Sequence, residues 1–262
     1  MFVNMGERGV VLVTGAGRGI GRAVALRMAE GGWFVIVNSL TAANAESTAA
    51  AIATKGGQAM ALPADVAVLA EVERVFRQIE STCGRLDALV NNVGNFRPHL
   101  LMDTTEDVWR EMTRVNLDSV FFCSQAAARL MIPAKRGRII NMASVAGKIC
   151  RLGNGAYCIT KGALPHLTRM FALELAEYGI SVNAVSPGPV ATEQFKRSAD
   201  NMGVTLEAIA RTGVPERFRQ RIPMGRMADP EDIANVVWFL AAEATDHLTG
   251  QEIVVDGGES LP

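Results

Sequence analysis

The chain is short of charge imbalance, cysteine, aromatic residues and long apolar runs, and each shortage removes a class of protein. Among 262 residues, 26 Lys and Arg face 27 Asp and Glu, a formal net charge of -1. Such a balance gives no long-range attraction for nucleic acid or an acidic membrane surface, so neither is expected as a partner. Cys83, Cys123, Cys150 and Cys158 are too sparse for a disulfide framework, and none is spaced as CxxC. Reduced thiols in a cytoplasm are therefore expected, with no metal site. No run approaches the roughly 20 apolar residues of a membrane span. The charged first eight residues, followed by a short apolar stretch, do not read as a secretory signal. Tyrosine is scarce, with Tyr157 and Tyr178 alone.

What is present is 49% hydrophobic residues, laid out in alternation. Short apolar runs at 10–13, 33–37, 58–62, 88–90, 138–141, 181–185 and 252–255 read as strands. Between them, amphipathic stretches at 21–30, 43–55, 67–83, 106–131, 155–178 and 230–242 read as helices. Alternation of this kind implies βαβ crossovers, hence an α/β fold: a doubly wound parallel sheet of about seven strands with helices on both faces. The runs are apolar throughout rather than every second residue, as strands buried on both faces require. The length suits one domain covering the chain. The irregular stretch between Pro187 and Pro230 is long for a connecting loop, and a substrate lid at about 189–228, with some helix of its own, is expected there.

Two groups of residues bear on chemistry. After the first strand, Thr14-Gly15-Ala16-Gly17-Arg18-Gly19-Ile20-Gly21 runs directly into a helix. Glycines there permit a tight turn and close backbone approach to a pyrophosphate, which the helix N-terminus then holds. No Gly-Lys-Ser/Thr follows, so this is not an NTPase loop. The second strand ends in Asn38-Ser39, without the carboxylate that would hold an adenosine ribose 2′-OH. Asn38 and Ser39 can instead hydrogen-bond a 2′-phosphate and Arg18 can balance its charge, so NADP(H) is favoured over NAD(H). Farther along, Tyr157 and Lys161 lie one helical turn apart, and Ser144 follows the fifth strand. A lysine ammonium beside a phenol favours the phenolate and lowers its pKa, as does a nearby nicotinamide cation.

Taken together, these residues resemble the short-chain dehydrogenase/reductase family from residue 10 to residue 258. The likeness rests on the glycine turn of residues 14–21, Asp65-Val66, Asn91-Asn92-Val93-Gly94, Asn116, Ser144 with Tyr157 and Lys161, and Pro187-Gly188. It implies that Tyr157 is the general acid or base, that Lys161 lowers its pKa and binds the nicotinamide ribose, and that Ser144 stabilises the carbonyl oxygen. Asn116 would hold a water linking Lys161 to solvent. Gly15, Gly17, Arg18, Gly19, Ile20, Gly21, Asn38, Ser39, Asp65, Val66, Asn92 and Gly94 would bind the dinucleotide with Tyr157 and Lys161. Pro187, Gly188, Val190 and Thr192 would line its nicotinamide and diphosphate side. Val93 departs from the family's usual Ala, and Pro165 falls inside the catalytic helix, where a local kink is expected.

Within the family, 3-oxoacyl-(acyl-carrier-protein) reductases are nearest in appearance. The implied activity is NADP(H)-dependent hydride transfer between nicotinamide and a ketone or secondary alcohol, with 3-oxoacyl thioesters as the leading substrate class. The alternatives are an NAD(P)-dependent dehydrogenase of a small polyol, sugar or cyclic diol, and a non-catalytic dinucleotide-binding regulator. Glu174 and Glu177 would repel an acidic carrier protein, which Arg129, Lys135, Arg136 and Arg138 partly offset. Phe195, Met202, Phe218 and Met224 give the lid an apolar lining. Lys148 and Arg151 read either as contacts for an anionic substrate tail or as a solvated loop. His99 reads as a solvent-exposed loop residue, with the pocket rim as the alternative, His166 as a structural or interface residue, and Cys158 as packing. The family's habit of pairing its long helices across a dimer implies a homotetramer, or a homodimer.

Overall fold

Strands apolar at every position need cover on both faces, and the sheet has it. The computed structural model describes residues 8–201, 203–242 and 245–261. Seven strands, β1 (Val10–Val13), β2 (Phe34–Ser39), β3 (Gln58–Pro63), β4 (Ala88–Asn91), β5 (Gly137–Met142), β6 (Ile180–Pro187) and β7 (Glu252–Val255), form one sheet in the order β3-β2-β1-β4-β5-β6-β7. Every pairing is parallel. Helices α1 (Gly19–Glu30), α2 (Ala42–Thr54) and α9 (Pro230–Ala241) cover one face, where Val11, Val13, Val35 and Val37 meet Met28, Ile52 and Val237. On the other, Val10, Leu12 and Ile36 meet Phe76 and Ile79 of α3 (Leu69–Cys83), Met131 of α5 (Ser119–Met131) and Leu175 of α6 (Gly155–Leu175). Adjacent residues of β1 thus serve opposite cores, which is why no polar position interrupts the run.

The strand order reverses direction at β1 and β4, so a crevice opens beyond their carboxyl ends. The stretch at 106–131 is not the single helix its pattern suggests. It divides into α4 (Glu106–Thr113), a π turn at Arg114–Asp118 and α5. The widened turn carries Asn116, which is fully buried. Helix α6 runs on through the buried Pro165. Between β6 and α9, α7 (Glu193–Asn201), α8 (Leu206–Thr212) and a 3-10 turn at Pro215–Arg217 gather around their own small core of Ala199, Ile209, Ala210, Ile222 and Met227. Met202 lies outside the described residues. Among the described residues, no helix is long and apolar enough to cross a membrane.

One carboxylate fixes where β1 starts. Asp87 is buried just before β4 and accepts the Val10 N–H at 2.8 Å, while pairing with Arg85 and, at 3.5 Å, Arg136. Replacing it strands a buried N–H and two guanidinium groups together. Asp87→Ala is expected to destabilise the fold by about 2–3 kcal/mol, read as a lower denaturation midpoint at unchanged slope. An unchanged midpoint would show that β1 is anchored elsewhere.

Candidate active site

The glycine turn is shaped by what surrounds it. A Cβ on Gly17 would lie 2.6 Å from Ser39 Oγ and from Asn44 Cβ, and one on Gly21 would lie 2.3 Å from the Gly15 carbonyl. Gly15 has φ +62°, a left-handed conformation that a side chain would strain. The turn is clamped from β4: Asn92 N–H donates to Thr14 Oγ1 at 2.9 Å, and Asn92 Nδ2 donates to the carbonyls of Thr14 and Gly15 at 3.1 and 3.2 Å. Helix α1 starts at Gly19, so its unpaired N–H groups face the crevice beside Ile20 and Gly21. A backbone held bare of side chains, ending in a helix N-terminus, fits a dinucleotide pyrophosphate.

The three residues expected to meet a ribose phosphate differ in where their side chains lie. Arg18 is exposed at the start of α1, and the Ser39 hydroxyl abuts Gly17. Asn38 is corrected: it is fully buried, and its Nδ2 donates inward to the carbonyls of Leu62 (3.0 Å) and Ala64 (3.2 Å). Its own carbonyl accepts the Ala16 N–H at 2.7 Å, so it braces the turn rather than reaching for a phosphate. Asn44 of α2, which composition and spacing gave no reason to single out, lies beside Ser39 against Gly17. At the end of β3, Asp65 accepts the Ala67 N–H at 3.0 Å and pairs with Arg114 at 3.4 Å, while Val66 is buried.

Ser144, Tyr157 and Lys161 are brought together by a contact between backbones. The 3-10 turn Val145–Gly147 after Ser144 lies flat on α6: a Cβ on Gly147 would be 2.7 Å from Gly162 Cα and 2.9 Å from the carbonyl carbon of Lys161. Two glycines, 147 and 162, thus set the spacing between the serine loop and the helix. The Ser144 hydroxyl, which accepts the Ala146 N–H at 3.1 Å, is near enough to act on the Tyr157 phenol, and the Phe96 ring packs edge-on against Tyr157 with centroids 5.2 Å apart. The Lys161 Nζ donates to the Met142 carbonyl at 2.7 Å and is almost fully buried. Gly94 opens the space above it, since a Cβ there would lie 3.3 Å from Nζ and 3.5 Å from Asn116 Oδ1. The Asn116 carboxamide accepts the Asn95 N–H at 2.7 Å and donates to the Asn95 carbonyl and the Thr160 hydroxyl.

Burial pushes the Tyr157 phenol above its ordinary value; the Ser144 hydrogen bond and the Arg151 charge pull against it. Burial also drives the Lys161 ammonium down to about 8. On the far side, β6 ends at Pro187; Gly188 N–H donates to the Val255 carbonyl at 2.9 Å, and Val190 bridges to Ala228. The Thr192 methyl would lie 3.5 Å from a Cβ on Gly19, so the segment after β6 begins against the glycine turn.

The remaining candidates part company. Lys148 and His166 are exposed, and the His99 backbone pairs with Gly153 beside the Tyr157 loop. Cys158 is half-buried, and burial pushes its thiol up. Arg151 is not in a solvated loop: its side chain is 8% exposed and lies 2.6 Å from Glu259, whose side chain is 0% exposed. Arg219, between α8 and α9, reaches the same carboxylate at 3.3 Å. Glu259 and Arg219 gave no signal in the sequence, since nothing local ties a residue near the C-terminus to a loop more than a hundred residues earlier.

A parallel sheet with a dinucleotide cradle and a Ser–Tyr–Lys group at its carboxyl edge defines a class of oxidoreductase, and comparison with known proteins places the chain in it. Residues 15–260 match the family model described as enoyl-(acyl carrier protein) reductase. A 3-oxoacyl-(acyl-carrier-protein) reductase of Staphylococcus aureus is 39% identical over 248 residues, 94% of this chain and 96% of the relative. Among solved structures, an NADPH-dependent reductase involved in bacilysin biosynthesis is 29% identical with a TM-score of 0.89, covering 96% of this chain and 98% of its own. Acetoin dehydrogenase from Enterobacter cloacae is 33% identical with a TM-score of 0.83, covering 97% and 96%. The chain belongs to the short-chain dehydrogenase/reductase family, oxidoreductases acting on carbonyl and alcohol groups.

Two substitutions test the geometry. Gly147→Ala drives a methyl into backbone that cannot step aside, and is expected to cost about 1–3 kcal/mol and to lower turnover by parting Ser144 from Tyr157; wild-type stability and rate would show the contact to be loose. Lys161→Met removes an ammonium whose burial costs about 3 kcal/mol while it stays protonated. Because the folded-state value is depressed, the native protein gains stability as pH rises from about 8 towards the unfolded value of 10.5. Lys161→Met should therefore melt above the parent at pH 7, with the gap closing by pH 10. A constant gap would contradict the depressed value.

Proposed function

We propose that the protein is an NADP(H)-dependent reductase of a ketone, with 3-oxoacyl thioesters as the leading substrate class. The observation that most supports this is the placing of the Tyr157 phenol with Ser144 and Lys161 at the carboxyl edge of the sheet, where burial pushes its pKa further above the ordinary phenol value. A phenol in that state is a proton donor. Ser144 is proposed to orient and polarise the carbonyl oxygen, and Tyr157 to deliver its proton to it. Lys161 is proposed to stabilise the phenolate left behind, with Asn116 holding a water on the path by which the proton is replaced. The bound dinucleotide supplies the hydride that the carbonyl carbon accepts. Gly15, Gly17, Gly19 and Gly21 would hold its pyrophosphate, and Arg18 and Ser39 its 2′-phosphate.

The absence of a carboxylate at the end of β2 supports NADP(H), as does the likeness to an NADPH-dependent reductase. The thioester class is supported by the Staphylococcus relative's activity. Docking of a carrier protein has less support: Glu174 and Glu177 are exposed at the end of α6, Arg138 pairs with Asp246, and Arg136 pairs with Asp87. We read residues 189–228 as a lid on a single functional unit. Exposed Phe121 on α5 and Met170 and Leu173 on α6 support pairing of these helices between copies, in a homodimer or homotetramer. Four free cysteines fit a cytoplasmic setting.

Titration with NADPH and NADH, followed by nucleotide fluorescence, is expected to give at least a tenfold preference for NADPH, most of it lost in Arg18→Ala, about 1.4 kcal/mol. Tyr157→Phe should retain that binding yet lower NADPH consumption with any active ketone by about 10²–10⁴. Equal affinities would move the reading towards oxidation of a polyol, sugar or diol. Undiminished turnover in Tyr157→Phe would remove the tyrosine from the mechanism.

A further inference from the structure

Beside Tyr157 the protein buries more positive than negative charge. Arg151 and Arg219 have side chains 8% and 12% exposed, and both converge on the single carboxylate of Glu259. Nε and Nη2 of both guanidinium groups make no well-aligned hydrogen bond among the described residues, and neither Glu259 oxygen receives one. Asp256, a further carboxylate near Glu259, has its oxygens engaged by the N–H groups of Gly258 and Ser260 at 2.9 and 2.7 Å. The Phe195 ring closes one side of Arg219 at 5.1 Å from its guanidinium carbon. Donors so buried and so poorly matched are costly unless a ligand uses them.

The location is the substrate side of the site. Arg151 lies on the loop joining Ser144 to Tyr157 and is near enough to act on the Tyr157 phenol. The next residue, Leu152, donates its N–H to the Arg217 carbonyl at 3.0 Å, which fastens this loop to the lid segment bearing Arg219. Glu259 comes from the tail after β7, and Phe96, on Tyr157, comes from the loop after β4. The loop bearing Arg151, the lid segment bearing Arg219 and the tail bearing Glu259 therefore meet at one carboxylate, and the first of them leads into Tyr157.

We propose that Arg151 and Arg219 form a subsite for a carboxylate of the substrate, so that the protein reduces an oxo acid, or an oxoacyl compound bearing a second, free carboxylate. This deepens the reductase reading above and rests on it. Glu259 acts as an internal stand-in: it holds the two guanidinium groups together and yields part of its ion pairing when the substrate carboxylate arrives. Arginine suits the task because its planar fork can serve two carboxylates at once.

The test compares pyruvate, acetoacetate and levulinate with their methyl esters, in NADPH consumption and in thermal midpoint without nucleotide. The wild type is expected to favour at least one acid over its ester by tenfold or more in kcat/KM, and that acid alone to raise the midpoint. In Arg151→Met and Arg219→Met the acid-to-ester ratio should collapse towards one, chiefly through KM. Glu259→Gln separates a binding site from a mere clasp. Removing the competing carboxylate should enlarge the midpoint shift given by the acid, whereas a clasp would be loosened with no gain in acid binding. Acid-to-ester ratios unchanged by either arginine substitution, or no acid-dependent shift in any variant, would overturn the proposal. The two readings fail distinguishably: if esters are reduced without any advantage for acids, the subsite falls and the reductase stands. If neither acids nor esters consume NADPH but a 3-oxoacyl thioester does, the subsite falls and the reductase stands; if that thioester is not reduced either, both fall.

Discussion

The Lys161 ammonium against the Met142 carbonyl is the constraint around which the catalytic edge is arranged. A charge this buried is tolerated only where a hydrogen bond holds it, and the one it makes is to the last residue of β5. That single bond ties α6 to the strand from which Ser144 departs. It fixes the turn of helix on which Tyr157 sits, so the hydroxyl pair and the ammonium cannot drift independently. Flat packing of Gly147 on Gly162 supplies the same restraint from the other side of the helix. Catalytic spacing here is a property of backbone contact, with side chains held in consequence.

The same logic explains which parts of the site could be read from sequence. Strands buried on both faces advertise themselves as unbroken apolar runs, and the seven runs expected are the seven strands observed, with ends moved by one or two residues. The glycine turn was legible because the bareness it needs can be met by one residue type alone. The π turn at Arg114–Asp118 was not, because its apolar spacing continues smoothly into α4 and α5, and only the pull of Asn95 on Asn116 shows why the ladder widens.

Side-chain direction and long-range charge were the less legible parts. Asn38 sits where a ribose-binding residue belongs, yet the neighbouring strand end offers two carbonyls to its amide, and they win. The tyrosine's titration could not be foretold from a lysine four residues on, because the sign depends on burial that the whole fold creates. Arg151 left two readings open. Its choice between them was made by Glu259 and Arg219, which no local pattern connects to it.

Two cations flank Tyr157 on different terms. Lys161 is held by a neutral carbonyl and loses part of its hold on its proton, whereas Arg151 is paired with the Glu259 carboxylate. In the resting site burial opposes the phenolate and the Arg151 charge favours it, with burial prevailing. The protonated phenol that results is the form a proton donor must start from, so the burial of Tyr157 and the proposed carbonyl reduction make the same demand on the fold.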